Sequence, residues 1–225
     1  YSVDPHLDGF DITTLGGTDT LTFSENPASP ADFGTPLGVA IDSSGNIYVA
    51  DSENHVINYT SSDGTVLSVF GSGAAGFADG DAATAQFNGP QGLAIGEDDT
   101  VYVADTLNHR IRVIERNGTV RTLAGTGVAA FTDGDVSAAR FNQPSDITID
   151  ASGLLYVADR INHRIRTVDS DGTTGTLAGT GVAGSDDGST TTATLNAPFS
   201  LISDADGTVY FTEASSHTIR KIRSS

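Results

Sequence analysis

The chain contains no cysteine, methionine or tryptophan among its 225 residues. Thiol catalysis, cysteine-ligated zinc and a disulfide framework are thereby excluded. Bases are scarce: 11 Lys plus Arg stand against 29 Asp plus Glu, a net charge of −18. None of the bases precedes Arg110, so residues 1–109 hold 16 acids and no Lys or Arg. A surface of that sign repels nucleic-acid phosphates and anionic membranes. No apolar run approaches the ~18 residues of a membrane-spanning helix, so membrane insertion is not expected. The length allows one ordinary domain, or two small ones, with a core that needs no staple. A chain that begins at Tyr1 reads as a processed form or an excised segment.

What the chain does have is glycine, 26 of them, and a repeat. Phe33, Phe87, Phe141 and Leu195 stand 54 residues apart. The same spacing relates Pro36, Pro90, Pro144 and Pro198, then Tyr48, Tyr102, Tyr156 and Tyr210, and finally His55, His109, His163 and His217. Within the first unit the segments LGVAID, NIYVAD, HVINYT and TVLSVF alternate in polarity and are parted by turn residues. Four short strands per unit define a propeller blade, so the expected fold is an all-β propeller of four blades, each with four antiparallel strands.

The last unit stops after its third strand, HTIRKI. At the other end, TLGGT (14–18) matches TLAGT (122–126), and DITTLG (11–16) is expected to supply the missing fourth strand and close the ring. On this reading residues 1–9 are a tail and residues 10–225 the propeller, with units 33–86, 87–140, 141–194 and 195–225 plus 10–32. Closure matters because an open blade leaves a strand edge unpaired.

The strings YVADTLNHRIRV and YVADRINHRIRT, which follow FNGPQGLAIG and FNQPSDITID, resemble NHL repeats, and the resemblance extends over residues 10–225. The first unit departs from the pattern with YVADSENHVINY, which lacks the arginines, and the last with YFTEASSHTIRK. Members of that family commonly form six-bladed propellers, whereas this chain has four long units. Either a four-bladed ring closes or chains share blades.

Several residues are candidates for chemistry. Acid and histidine recur four apart as Asp51 and His55, Asp105 and His109, Asp159 and His163, and Glu213 and His217. The histidines begin the third strands, about two spacings of ~4.8 Å out from the innermost strand, so they do not converge on a metal. They are read as structural, each carboxylate accepting from its turn and from the imidazole to lock a hairpin. The loops FADGDAATAQF and FTDGDVSAARF hold Asp79, Asp81, Asp133 and Asp135. Their Asp-Gly-Asp resembles part of a calcium loop but lacks the further ligands, so Asp81 and Asp135 are read as caps of short helical turns, calcium stays a lesser alternative, and no cofactor is expected. Asn58 and Asn117 fit the acceptor triplet for N-linked glycans.

Residues that break the repeat are better candidates for binding. Asp146 stands where other units have Gly38, Gly92 and Ser200, on an innermost strand near the channel. Arg110, Arg112, Arg164 and Arg166 fill third strands in units that follow the base-free first one. They are read as salt-bridged or solvated covers, or alternatively as the basic half of a head-to-tail contact between molecules. The expected function is a non-catalytic extracellular or cell-surface module. It would bind protein or glycan through the long loops, or assemble with copies of itself by donating its N-terminal strand. The alternative is a metal-dependent lyase or hydrolase with its site in the channel, which the family resemblance also allows. RNA binding, known for some propellers of this kind, needs a basic face that this chain lacks.

Overall fold

A computed structural model of the protein describes residues 12–17 and 33–223. Fifteen strands follow one another in chain order. Blade 1 comprises β1 (Pro36–Ile41), β2 (Ile47–Asp51), β3 (Val56–Thr60) and β4 (Val66–Phe70). Blade 2 comprises β5 (Pro90–Ile95), β6 (Val101–Asp105), β7 (Arg110–Ile114) and β8 (Val120–Ala124). Blade 3 comprises β9 (Pro144–Ile149), β10 (Leu155–Asp159), β11 (Arg164–Val168) and β12 (Thr174–Ala178), and blade 4 comprises β13 (Pro198–Ser203), β14 (Val209–Glu213) and β15 (Thr218–Ile222). Each sheet is an antiparallel meander, so the four-bladed propeller is present.

Local chemistry sets the hairpins. Asp42 Oδ1 accepts from the backbone N–H groups of Ser44 and Asn46, and Gly45 takes the positive φ (83°) that the tight turn requires. Asp150 and Asp204 hold the equivalent turns of blades 3 and 4 in the same way. Apolar residues of adjacent blades then interleave. Tyr48, Ala50, Ile57 and Phe70 of blade 1 pack against Leu93, Val101 and Val103 of blade 2, and Phe87, ahead of β5, is fully buried with them. Ala94 and Ile111 pack on Ile147, Leu155 and Val157, and Tyr156, Ala158 and Ile165 on Leu201, Val209 and Phe211. Burying side chains of this size stabilises each joint by about 1.5–3 kcal/mol per residue.

The expected closure by residues 11–16 is corrected on one point. Among the described residues blade 4 has three strands, and residues 12–17 form no strand with β15. The Leu15 carbonyl oxygen instead lies against Gly64 of blade 1, as its repeat mate Leu123 lies against Gly172 of blade 3. The segment therefore keeps its place beside blade 1, and what is missing is the approach of blade 4. The innermost strands pack in the series β1–β5–β9–β13, with no comparable packing of β13 on β1. The expected tail, residues 1–9, lies outside the described residues.

Candidate functional site

In each meander the first-to-second and third-to-fourth strand turns lie at one end of the blade. The second-to-third turns and the long interblade connections lie at the other. The latter end is a loop face, built from residues 71–89, 125–143 and 179–197 with the turns at 106–109 and 160–163.

Buried arginines pin these loops. Arg112 is fully buried and donates to Gln86 O (3.0 Å), Ala78 O (2.8 Å), Asp79 Oδ1 (2.6 Å) and Asp105 Oδ2 (2.9 Å). Arg166 repeats this with Arg140 O, Thr132 O, Asp133 and Asp159. Arg220 does so with Thr194 O, Asp186 O, Asp187 and Glu213. Arg112 and Arg166 thus fit the reading as salt-bridged covers and correct the alternative of a contact between molecules: no part of either side chain reaches solvent. Arg110 and Arg164 lie one layer nearer the surface, stacked at 3.6 and 3.7 Å over the rings of Phe77 and Phe131. Their guanidinium groups donate to Thr126 O and Thr180 O.

The acid and histidine dyads separate in space. Asp105 accepts from Asn88 N–H, Asn108 Nδ2 and Arg112; burial pushes its carboxyl up and those donors pull it back. Burial pushes Asp159 up likewise, against the charge of Arg166 and donors from Asn162 and Asn142. Asp51 takes Gly34 and Thr35 N–H with Asn54, and Glu213 takes Asn196 N–H, Thr218 and Arg220. The imidazoles do not donate to these acids. His55, His109 and His163 each sit at positive φ, and their Nδ1 atoms accept from Gly89, Gln143 and Ala197 N–H in the loop entering the next blade. The expected hairpin lock is therefore a joint between blades, because the left-handed backbone turns the ring away from its own carboxylate. His217 shares the positive φ of 56°.

Asp79 and Asp133 face the buried arginines, while Asp81 and Asp135 accept from Thr84 and Ser137 N–H within their own turns. Among the described residues no three His, Asp or Glu side chains converge as metal ligands. Asp146 lines a channel cavity of about 510 Å³ with Val39, Leu93, Ser200 and Tyr210. Its carboxylate accepts from Ile147 N–H (2.9 Å), Ser200 Oγ (2.7 Å) and Leu201 N–H (3.0 Å), so it ties blade 3 to blade 4, and burial pushes its pKa up. The glycine mates explain themselves: a Cβ on Gly38 would strike the Gln91 carbonyl, and one on Gly92 would strike Asp146. Asn58 is buried within β3 and is no acceptor for a glycan in the folded chain, whereas Asn117 is exposed at a hairpin tip.

The loop face carries exposed apolar groups that the repeat also spaces by 54: Phe77 and Phe131, Leu107 and Ile161, Val128 and Val182. Sequence reasoning passed over them, although their recurrence at turn positions, where polar residues are usual, was the available signal.

Fold and loops together define a repeat propeller whose polar groups, repeated in register from blade to blade, hold blades and connections in place. The family model for the NHL repeat matches residues 33–57, 87–114 and 141–167, and the chain belongs to the NHL-repeat β-propellers. It is 35% identical over 168 residues to NHL repeat-containing protein 2 of Bos taurus, a match covering 65% of this chain and 22% of that protein. The chain thus spans less than a quarter of that relative. Its fold is similar to an auxiliary nutrient binding protein from Bacteroides thetaiotaomicron (TM-score 0.70, 16% identity, 86% of this chain and 49% of that one). It is also similar to virginiamycin B lyase from Staphylococcus aureus (TM-score 0.56, 15% identity, 89% and 57%). One fold therefore serves both a binding protein and an enzyme, and function is to be argued from the site.

Proposed function

We propose that the chain is a non-catalytic protein-binding module whose partner docks on the loop face. One observation carries the reading: Phe77 and Phe131, Leu107 and Ile161, Val128 and Val182 stay exposed on that face in blade-to-blade register. The arginines beneath them are engaged by the loops themselves, so the face offers a rigid apolar surface. Aliphatic as well as aromatic groups favour protein over glycan. The channel alternative has less in its favour, since each oxygen of Asp146 already accepts from its neighbours. Action outside the cell or at its surface belongs to the same proposal and is supported by the acidic composition, net charge −18.

The test is a displayed-peptide selection on the parent chain, repeated with Leu107→Asp/Val128→Asp/Ile161→Asp/Val182→Asp. Peptides that enrich on the parent and lose at least tenfold in affinity for the variant, at unchanged melting temperature, support the reading. Enriched peptides that bind both forms equally overturn it.

A further inference from the structure

Between blades 1 and 2, at the end opposite the loop face, lies a cavity of about 470 Å³. Tyr48 of β2, Tyr59 of β3 and Phe70 of β4 line it from blade 1, and Ile114 of β7 lines it from blade 2. The rings of Tyr48 and Tyr59 stack with centroids 4.4 Å apart, and that of Phe70 lies 6.3 Å from Tyr48. Much of this lining departs from the repeat. Tyr59 has Val113, Thr167 and Lys221 at its repeat position, and Phe70 has Ala124 and Ala178. Asp99, in the turn after β5, stands where the other blades have Gly45, Gly153 and Gly207, and it takes the same left-handed backbone with a φ of 60°. Such a backbone favours glycine, so the turn itself does not call for an aspartate. The corresponding cavity between blades 2 and 3 is smaller, about 340 Å³, with Tyr102 and Ile149 in place of the aromatic trio.

The rim is acidic. Asp42, Asp99 and Glu115 border the cavity against one guanidinium, that of Arg116, which stands 3.8 Å from Asp99 Oδ2. Two of these acids already have their acceptor sites filled. Asp42 accepts from Ser44 N–H, from the N–H and Nδ2 of Asn46 and from the Tyr59 hydroxyl. Asp99 accepts from Ser43 N–H and Oγ, each at 2.8 Å, and so ties the first turn of blade 1 to that of blade 2. Burial acts to raise the Asp42 carboxyl, but donors from Asn46, Ser44 and Tyr59 outweigh it and hold the group below the ordinary range, so its charge persists at neutral pH. Negative field is thus present where acceptor sites are taken. A sugar, whose hydroxyls need free acceptors, gains little from such a rim. A bulky cation that donates no hydrogen bond gains from both the field and the rings.

We propose that this cleft binds a quaternary ammonium group, held between the aromatic side chains of blade 1 and the carboxylates of the turns of both blades. The volume admits a trimethylammonium head with a short chain and lies within the ordinary range of small-molecule pockets. Blades 1 and 2 form the cleft between them at the end away from the loop face, so the proposal does not rest on the protein-binding reading.

Saturation-transfer NMR on the methyl protons of tetramethylammonium reads parent and variants alike. With the full chain, at ionic strength held constant by sodium chloride, saturable transfer is expected with half-saturation at about 1 mM. Tyr59→Val and Asp99→Gly install the residues found at the same positions of neighbouring blades, and circular dichroism checks that each is folded. Each is expected to weaken binding about fivefold or more, through loss of a ring or of a charge. Glucose is expected to show no transfer. Choline and a peptide bearing trimethyllysine carry the same head group, and the tighter of the two tells whether the ligand is a free solute or a partner's side chain. Absence of saturable transfer, a folded variant that binds tetramethylammonium as tightly as the parent, or binding of glucose in place of the cation overturns the proposal.

Discussion

Arg112 shows how much one buried side chain organises. It joins two loop carbonyls, the loop carboxylate of Asp79 and the strand-end carboxylate of Asp105. Arg112→Met keeps most of the volume but leaves Asp105 buried without its cation, so it is expected to cost about 3–5 kcal/mol, the usual range for breaking a buried pair. Urea unfolding measures this, and a loss below about 1 kcal/mol, the level of an exposed pair, would contradict the role. Histidine gives a pH dependence. Burial lowers the pKa of His109 and His163 below the ordinary 6.5, in keeping with Nδ1 atoms that accept hydrogen bonds. The folded chain holds both rings neutral, while the unfolded chain takes up protons near pH 6.5. This contribution is complete above that pH and is lost as pH falls below it toward the lowered folded values. His109→Asn/His163→Asn tolerates the left-handed backbone and removes the titrating groups. Its melting temperature is expected to lie about 2–4 °C below the parent at pH 8 per lost bond of ~1 kcal/mol, with a smaller further drop at pH 5. Equal drops in both proteins would contradict the assignment.

At the level of elements, the strands and hairpins were legible because alternation, turn residues and the period of 54 all agree. The polar residues were legible as repeated but not as to partner. His109 and Gln143 lie 34 residues apart and meet only because one blade stacks on the next, which no local spacing reveals. The Asp-Gly-Asp loops were open to a calcium reading for the same reason: Arg112, the partner of Asp79, is 33 residues away. With Asp79 and Asp133 held by arginine and Asp81 and Asp135 turned on their own backbones, millimolar calcium is expected to give no saturable heat in isothermal titration and no rise in melting temperature. A saturable signal of one ion per loop would show that the arginine contacts yield to the metal.

For the molecule as a whole, the charge asymmetry and the open ends fall on the same axis, from the base-free first blade to Lys221 and Arg223 at the last. The histidine joints run along it in one direction only, each blade holding the loop that enters its successor. Blade 1 has Asn58 where blades 2 and 3 have a buried arginine, and the Nδ2 atom there has no partner. Blade 4 has Arg220 at 3.4 Å from Glu213, a looser contact than 2.9 and 2.7 Å in blades 2 and 3. Chain opening should therefore behave as a zipper with a strong middle: amide hydrogen exchange is expected to be slowest in β6, β7, β10 and β11 and to quicken outward to β1 and β15. Uniform protection across all four blades would instead mean a single cooperative unit. A series that frays from both ends also bears load unevenly, and pulling on its two termini should release blades one at a time from the outside, the middle pair last.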